Sequence, residues 1–439
     1  MKLKSTLLVL IACLSLSQAI AQAVKSVKYR RSSIYTIMLD DAGLVKADTI
    51  KQAFLTAPVP DKYNDHNLSF KVFDPRSIKV ADSLRQTKSD GGGKKFGKSL
   101  MSSTTGGLVD TTEIKDLPLI IDKFFVDNKI AAGMVAKWFN RSEKGTFDMK
   151  VIGERGSYDA TEMAANVAKM STRGVASLSD AGEELIGNTF VVVTRLKYVN
   201  KEEVAKATKN MLSLVEKYGG QNAQMVAKVS SAAVTVAAKG YVVQTTSYLY
   251  KLRWNDSIAA VFYNELWNDE SSFDPKRKEA FDNTNLFSLD LVGTEKAWAD
   301  VQSSIFSKKS EAELVRIATV NAVDAVIAKL QKKYDVFKTK TPIYTAEPLT
   351  AKIGLKESLE NGDKFEVLEQ ELDEKTGKTK YVRKGVVKVD GSQIWDNRYM
   401  AGELAAEDST KSALPKIDRT LFKGGKDDYY EGMLIRQIK

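Results

Sequence analysis

The chain has 439 residues, 43% of them hydrophobic and 28% charged, with 8 prolines and a formal charge of +10. That composition excludes a disordered or collagen-like chain, and at roughly 100–200 residues per domain it allows two to four domains. The single histidine and single cysteine exclude most metal and triad chemistry. A Ser-His-Asp triad would have to use His66, which follows Pro58 and Pro60 in a polar stretch that reads as loop. Zinc sites take several His or Cys ligands, and Cys13 is alone. No catalytic residue, metal or cofactor is therefore assigned. A carboxylate-based hydrolase stays open only because 56 Asp and Glu residues always supply pairs.

Lys2 and Lys4 precede a short apolar run, Leu7 to Leu16, and Ala19-Ile20-Ala21 offers a small-residue cleavage site. Residues 1–21 thus read as a signal peptide, too short to span a bilayer that needs roughly 20 apolar residues. The expected location is the periplasm, the outer membrane surface or the exterior. Leu10-Ile11-Ala12-Cys13 resembles a lipobox, so a lipoprotein anchored through Cys13 is the rival reading.

Residues 22–110 form a basic region of net charge +6. It opens with a strand at Ser33 to Leu39 and a helix at Asp48 to Ala57, and Lys88 to Gly107 has linker composition. The excess charge is spread out, with no basic stripe or aromatic platform, so nucleic acid is not an expected partner. Within the linker, Gly92 to Ser99 matches the G-x-x-x-x-G-K-S phosphate loop, but no hydrophobic strand feeds it and no helix leaves it, so a basic loop is expected.

Residues 111–340 read as a central α/β domain. Leu119 to Asn140 predicts a helix, Thr146 to Ile152 a strand by alternation, and Asp159 to Ile186 a capped helix whose stripe includes Met163, Gly174 and Leu185. Phe190 to Thr194 predicts a buried strand, and Asn200 with Glu203 caps a further helix to Tyr218. Tyr241 to Trp254 and Ser257 to Trp267 predict a hairpin turning at Asn255-Asp256. Asp274-Pro275 opens a helix, Leu286 to Val292 is a strand, and a core-facing helix starts near Ser310 with the stripe Val320, Val323, Ile327, Leu330, Tyr334. Residues 341–439 switch to alternation. Gly362 to Glu369 and Thr379 to Val389 flank a turn at Glu374 to Lys378, and Tyr429 to Ile438 closes the pattern, typical of a small antiparallel barrel or sandwich, and an SH3-like β domain is expected. The expected fold class is α+β, an α/β-like central domain with a mixed sheet followed by an antiparallel barrel.

The motifs Lys137-Trp-Phe-Asn-Arg141, Gly145 to Met149, Glu154 to Thr161 and Asp180 to Thr189 resemble a family of secreted Bacteroidota proteins of unknown function. Ala351 to Glu357 with Gly362 to Val367 is similar to the small β-barrel that ends some flagellar- and envelope-assembly proteins. The middle is similar to the periplasmic α/β domain of the curli-secretion lipoprotein superfamily. These resemblances imply an envelope setting and supply no activity.

Arg155, Tyr158 and Trp138 are the candidate ligand-binding residues. In a strand-to-helix loop, Arg155 would grip a carboxylate or phosphate and Tyr158 would stack; the competing reading pairs Arg155 with a neighbour and packs Tyr158 at the helix entry. Seven aromatics between Tyr241 and Trp267 would form a sugar or peptide platform or, alternatively, ordinary core pairs. The expected function is a non-enzymatic cell-envelope protein acting through protein–protein contacts in assembly or scaffolding, its partners envelope proteins, with peripheral association to the outer membrane open. The alternative is a glycan- or small-ligand-binding protein.

Overall fold

Ser32–Leu39 forms strand β1, and its alternating side chains feed two cores. Tyr35, Ile37 and Leu39 point to one face, Ile34 and Met38 to the other. Such burial on both faces marks an interior strand covered by helices. The computed structural model of the protein describes residues 32–41, 43–80, 116–159, 185–200, 241–301, 309–372, 379–401, 417–425 and 428–438.

β1 pairs in parallel with β2 (Tyr63–Asp65), β3 (Val72–Phe73) and β4 (Thr189–Asn200). β4, β5 (Tyr241–Leu252) and β6 (Leu289–Val301) then run antiparallel, giving a mixed sheet of order β2-β1-β4-β5-β6. Helix α1 (Ala47–Leu55) and the long α7 (Glu311–Lys333) cover one face. α2 (Leu117–Asp127), α3 (Ile130–Trp138) and α4 (Lys150–Asp159) lie on the other, with α5 (Asp256–Val261) and α6 (Pro275–Asn283) beside them.

α7 forms where the sequence places it. Ser310 Oγ accepts from the Glu313 amide at 3.3 Å while Glu313 returns a carboxylate to the Ser310 amide at 2.8 Å, a reciprocal cap. Lys332 and Lys333 in the last turn suit the negative end of the helix dipole. Its buried residues include Leu314, Val315, Ile317, Val326, Ile327 and Leu330. At roughly 1.5–3 kcal/mol for each fully buried large aliphatic side chain, this face anchors the sheet.

The remaining strands form a separate closed antiparallel barrel of order β10-β11-β8-β7-β12-β9. They are β7 (Thr341–Thr345), β8 (Thr350–Ala351), β9 (Lys364–Leu372), β10 (Thr379–Val389), β11 (Thr420–Lys423) and β12 (Leu434–Gln437). Phe365, Val367, Val387, Phe422 and Ile435 fill its interior. The fold class is α+β, as the sequence pattern indicates.

Several elements differ from their expected form. Leu119 to Asn140 is two helices, because Lys129 adopts a left-handed φ of 48° and the Asn128 side chain donates to the Phe124 carbonyl at 2.9 Å. Thr146 to Ile152 is not a strand. A turn closes at Ser142–Thr146, Asp148 Oδ1 caps the Lys150 amide at 2.8 Å, and α4 begins there. The alternation of Phe147, Met149 and Val151 reflects one ring inserted into the core and one helix face. The expected 241–267 hairpin is also absent. Asn255 Oδ1 accepts from the Ile258 amide at 3.0 Å, so the residues read as a turn start α5, which continues as a π-turn through Phe262–Leu266. β5 pairs instead with β4 and β6, and β6 runs well past Val292 to Val301. The signal peptide, the Gly92–Ser99 loop, residues 160–184 of the Asp159 helix, the helix after Asn200 and the 374–378 turn lie outside the described residues.

Candidate functional site

Helix α3 carries Trp138 into the core, where it is fully buried and its Nε1 donates to Thr189 Oγ1 at 2.9 Å. α4 crosses beside it and lays the Arg155 guanidinium over the indole at 4.3 Å. Glu154 to Tyr158 therefore lies inside a helix, not in a strand-to-helix loop, and its backbone amides are committed to that helix. Arg155 reaches out of α4 to two other segments. NH1 donates to Ser33 Oγ at 3.0 Å on β1 and to His66 Nδ1 at 3.0 Å, and NH2 donates to the Asp65 carbonyl at 3.2 Å.

His66 is fully buried rather than in an exposed loop. Its Nε2 lies 2.9 Å from the Met134 carbonyl, which only accepts, so Nε2 carries the proton and Nδ1 accepts from Arg155. Burial first, and the Arg155 cation second, hold the ring well below the ordinary imidazole range. A neutral histidine with both nitrogens engaged has no proton to exchange with a substrate. Trp138, Arg155 and His66 thus form a clamp that ties α3 and α4 to β1 and the following loop. This is the neighbour-pairing reading of Arg155, and it removes Trp138 as a stacking surface for a ligand. Tyr158 stands on the last turn of α4, and its side chain lies outside the described residues.

Outside the clamp lies an open groove of about 340 Å³ lined by Lys137, Asn140, Arg141 and Arg155. Lys137 donates to the Asn67 carbonyl at 2.6 Å, and burial, helped by Arg155 and Lys71 and opposed by Asp65, keeps it below the ordinary lysine range. Arg141 pairs with Asp282 at 2.7 Å and covers the Phe281 ring at 4.6 Å. The sequence reading missed His66, Lys137 and Arg141. The spacing of Lys137 and Arg141, four apart around Trp138, was the available signal for a cationic rim.

The aromatics follow the core-pair reading: Tyr250 and Phe262 are buried, Tyr248, Trp254, Tyr263 and Trp267 are partly buried against the same core, and the side chain of Tyr241 lies outside the described residues. Phe262 stacks among Phe139 at 4.6 Å, Phe147 at 5.3 Å and Trp254 at 5.8 Å, and Tyr250 meets Phe125 edge-on at 4.9 Å.

A second buried cluster joins the sheet to the barrel. Lys62 pairs with Glu357 at 3.2 Å, Lys356 stands 3.9 Å from Asp324 and 3.8 Å from Asp61, and Lys332 donates to the Ser358 carbonyl at 2.7 Å. Burial pushes Asp324 up to about 7, with Lys356 opposing, and its Oδ2 has no hydrogen-bond partner among the described residues. Burial works against the Glu357 charge too, but Lys62, the Gly354 amide and Asn397 outweigh it and hold this carboxylate below its ordinary range. Two carboxylates pushed apart in this way suit an acid and a base. However, the adjoining cavity of about 30 Å³ admits about one water, so the cluster acts as a joint.

Among the described residues, no group of three His, Cys, Asp or Glu is placed to hold a metal ion, and no helix is long and apolar enough to cross a membrane. No protein-family model matches the sequence, and no curated protein matches it.

Proposed function

We propose that this chain is a non-enzymatic cell-envelope protein that works by binding another protein through the face of strands β5 and β6. The observation that carries the reading is a sheet that, among the described residues, is covered at one end only. Along β5, Tyr250 is buried, Tyr248 and Thr246 are half-buried, and Gln244 is exposed. Their cross-strand partners on β6 are Leu291, Thr294, Lys296 and Trp298. Leu291 is 44% and Trp298 56% exposed, an apolar pair flanking a polar middle on one face. Large exposed rings bordered by polar groups are what protein-binding surfaces use.

The edge of β6 is a poorer docking element than its face. An edge strand offers unpaired amides to another strand. Here Tyr334 reaches around from the end of α7, its hydroxyl accepting from the Thr294 amide at 3.1 Å, and Lys329 donates to the Lys296 carbonyl at 2.9 Å. Both guards block strand addition at the centre of β6. The signal-like leader supports the envelope setting.

A photo-crosslinking residue at position 298, in cells, tests the reading. A discrete crosslinked protein at 298, absent when the probe replaces exposed Glu143, is the expected result. Equal or no crosslinking at the two positions would remove this face as a partner surface. The groove beside Arg155 favours a second reading, a small anionic ligand, because Lys137, Arg141 and Arg155 rim it together and Lys137 donates to a neutral carbonyl. Saturable binding of a uronic acid, lost in Lys137→Gln, would select it.

A further inference from the structure

The lower end of the mixed sheet faces the barrel across a cleft of about 220 Å³. Lys62, Lys251, Lys338, Lys340 and Arg436 line it, and among the described residues Asp335 is the one carboxylate that does. The cations come from separate segments: the loop after α1, strand β5, the connection between α7 and the barrel, and β12. Ser32 and Thr339 add hydroxyls, and Asn188 an amide.

Neutralisation is incomplete. Lys338 pairs with Asp335 at 2.5 Å, Lys62 with Glu357 at 3.2 Å, and Arg436 with Glu366 at 2.5 Å. Glu366 also faces Arg383 at 3.9 Å, so its charge is shared. Lys340 lies over the Tyr381 ring at 4.0 Å. Half-buried Lys251 makes no ion pair among the described residues. Burial, helped by Lys356 and opposed by Glu357 and Asp61, keeps Lys62 below the ordinary lysine range. A half-buried cation without an ion pair, set in a cleft lined by other cations, opposes folding, and a bound anion would relieve that cost.

We propose that this cleft binds a phosphate group, free or carried on a lipid headgroup. Lysines approaching from different directions suit a compact tetrahedral anion, whose oxygens accept bonds on every side; a planar carboxylate would meet only some of them. The cleft of about 220 Å³ has room for a phosphate with part of its hydration. The ligand would touch Lys251 on the sheet and Arg436 on the barrel together, so binding ties the two units. The cleft differs in chemistry from the β5–β6 face, although Lys251 lies on β5 next to Tyr250, and it stands or falls separately from the protein-contact reading.

The test uses the full mature chain. Inorganic phosphate is titrated at constant ionic strength against chloride, followed by calorimetry and by melting temperature. Vesicles of phosphatidylcholine with and without phosphatidic acid form the second arm. The expected result is saturable phosphate binding that raises the melting temperature, at least tenfold weaker in Lys251→Gln and weaker still in the double variant with Lys340→Gln. Lys123→Gln, on a remote surface, should bind as the parent does. Retention on phosphatidic acid vesicles with no response to free phosphate, lost in Lys251→Gln, assigns the lipid source. Circular dichroism checks that each variant is folded, and Lys251→Gln alone decides if the double variant is not. Absence of binding in both arms, or binding unchanged by Lys251→Gln, overturns the proposal.

Discussion

At the Arg155 clamp a half-buried cation donates to a hydroxyl, a carbonyl and an imidazole and covers an indole face. At the joint between sheet and barrel, buried cations are answered by carboxylates. The clamp loses one proton-binding site, because His66 can accept from Arg155 only while neutral. The joint gains one, because Asp324 is too buried to ionise easily. The two regions therefore respond to pH in opposite senses, although both are buried charge clusters that hold segments together. What sets the sign is whether the titrating group is an acid or a base facing desolvation, not how many ion pairs surround it.

The largest way to break the comparison is to remove the clamp's floor. Trp138→Ala deletes a fully buried ring, its bond to Thr189 and the surface beneath Arg155. A loss of about 3–5 kcal/mol is expected by chemical denaturation. A loss below about 1 kcal/mol would mean that the clamp does not key α3 and α4 to the sheet.

Asp324 offers the next largest effect, and here the expected change is a gain. Its folded value of about 7 stands above the ordinary 3.8. The neutral acid's favourable burial is thus fully present below the ordinary value and is lost as pH rises through about 7. Asp324→Asn keeps the shape and removes that loss. At roughly 1.4 kcal/mol for each pH unit that separates the folded from the ordinary value, the variant should be more stable than the parent at pH 8 by about 1–4 kcal/mol, the difference fading near pH 4. Denaturation curves at pH 4, 6 and 8 measure it. If the variant is weaker at pH 8, the attraction of Lys356 outweighs desolvation and the joint is a true ion pair.

His66 sharpens the contrast with the reverse slope. Its folded value lies well below 6.5, so its contribution is full above about 6.5 and is lost as pH falls below that. Between pH 6.5 and 5 the parent should lose more stability than His66→Gln. Parallel pH profiles for the two proteins would show that His66 is not held neutral.

How much of this was legible in the sequence follows from the range of the interactions. β1, β4, α6, α7 and the β9–β10 pairing carry local signals: continuous apolar runs, a proline at a first turn, strict alternation. The failures sit where a side chain overrides period. Asp148 and Asn255 cap helices at places where alternation suggests strands or a turn, and a single carboxylate or amide bond decides them. Residue type alone singles out Arg155 and Trp138 without saying how they meet. That they form a clamp depends on His66, 89 residues away in sequence, and on Ser33, 122 away, and nothing local encodes either contact. The cationic cleft is still less visible, since its lysines come from segments that only the folded sheet and barrel bring together.

The smallest effect is expected at an ion pair that looks better formed than most of those above. Lys123 and Asp127 stand four apart on α2 with an N–O distance of 2.9 Å, shorter than either contact of Lys356 at the joint. Both side chains are more than a third exposed, so water and salt screen the attraction and each chain gives up rotamer freedom to hold it. Helical pairs of this kind contribute about 0.3–0.5 kcal/mol. Alanine also has the higher helix propensity, which offsets part of that loss. Lys123→Ala should therefore change stability by no more than about 0.5 kcal/mol, and raising the salt concentration should shrink the difference. A change above about 1 kcal/mol would show that distance rather than burial ranks the charge contacts of this protein, and the contrast between clamp and joint would then need another cause than desolvation.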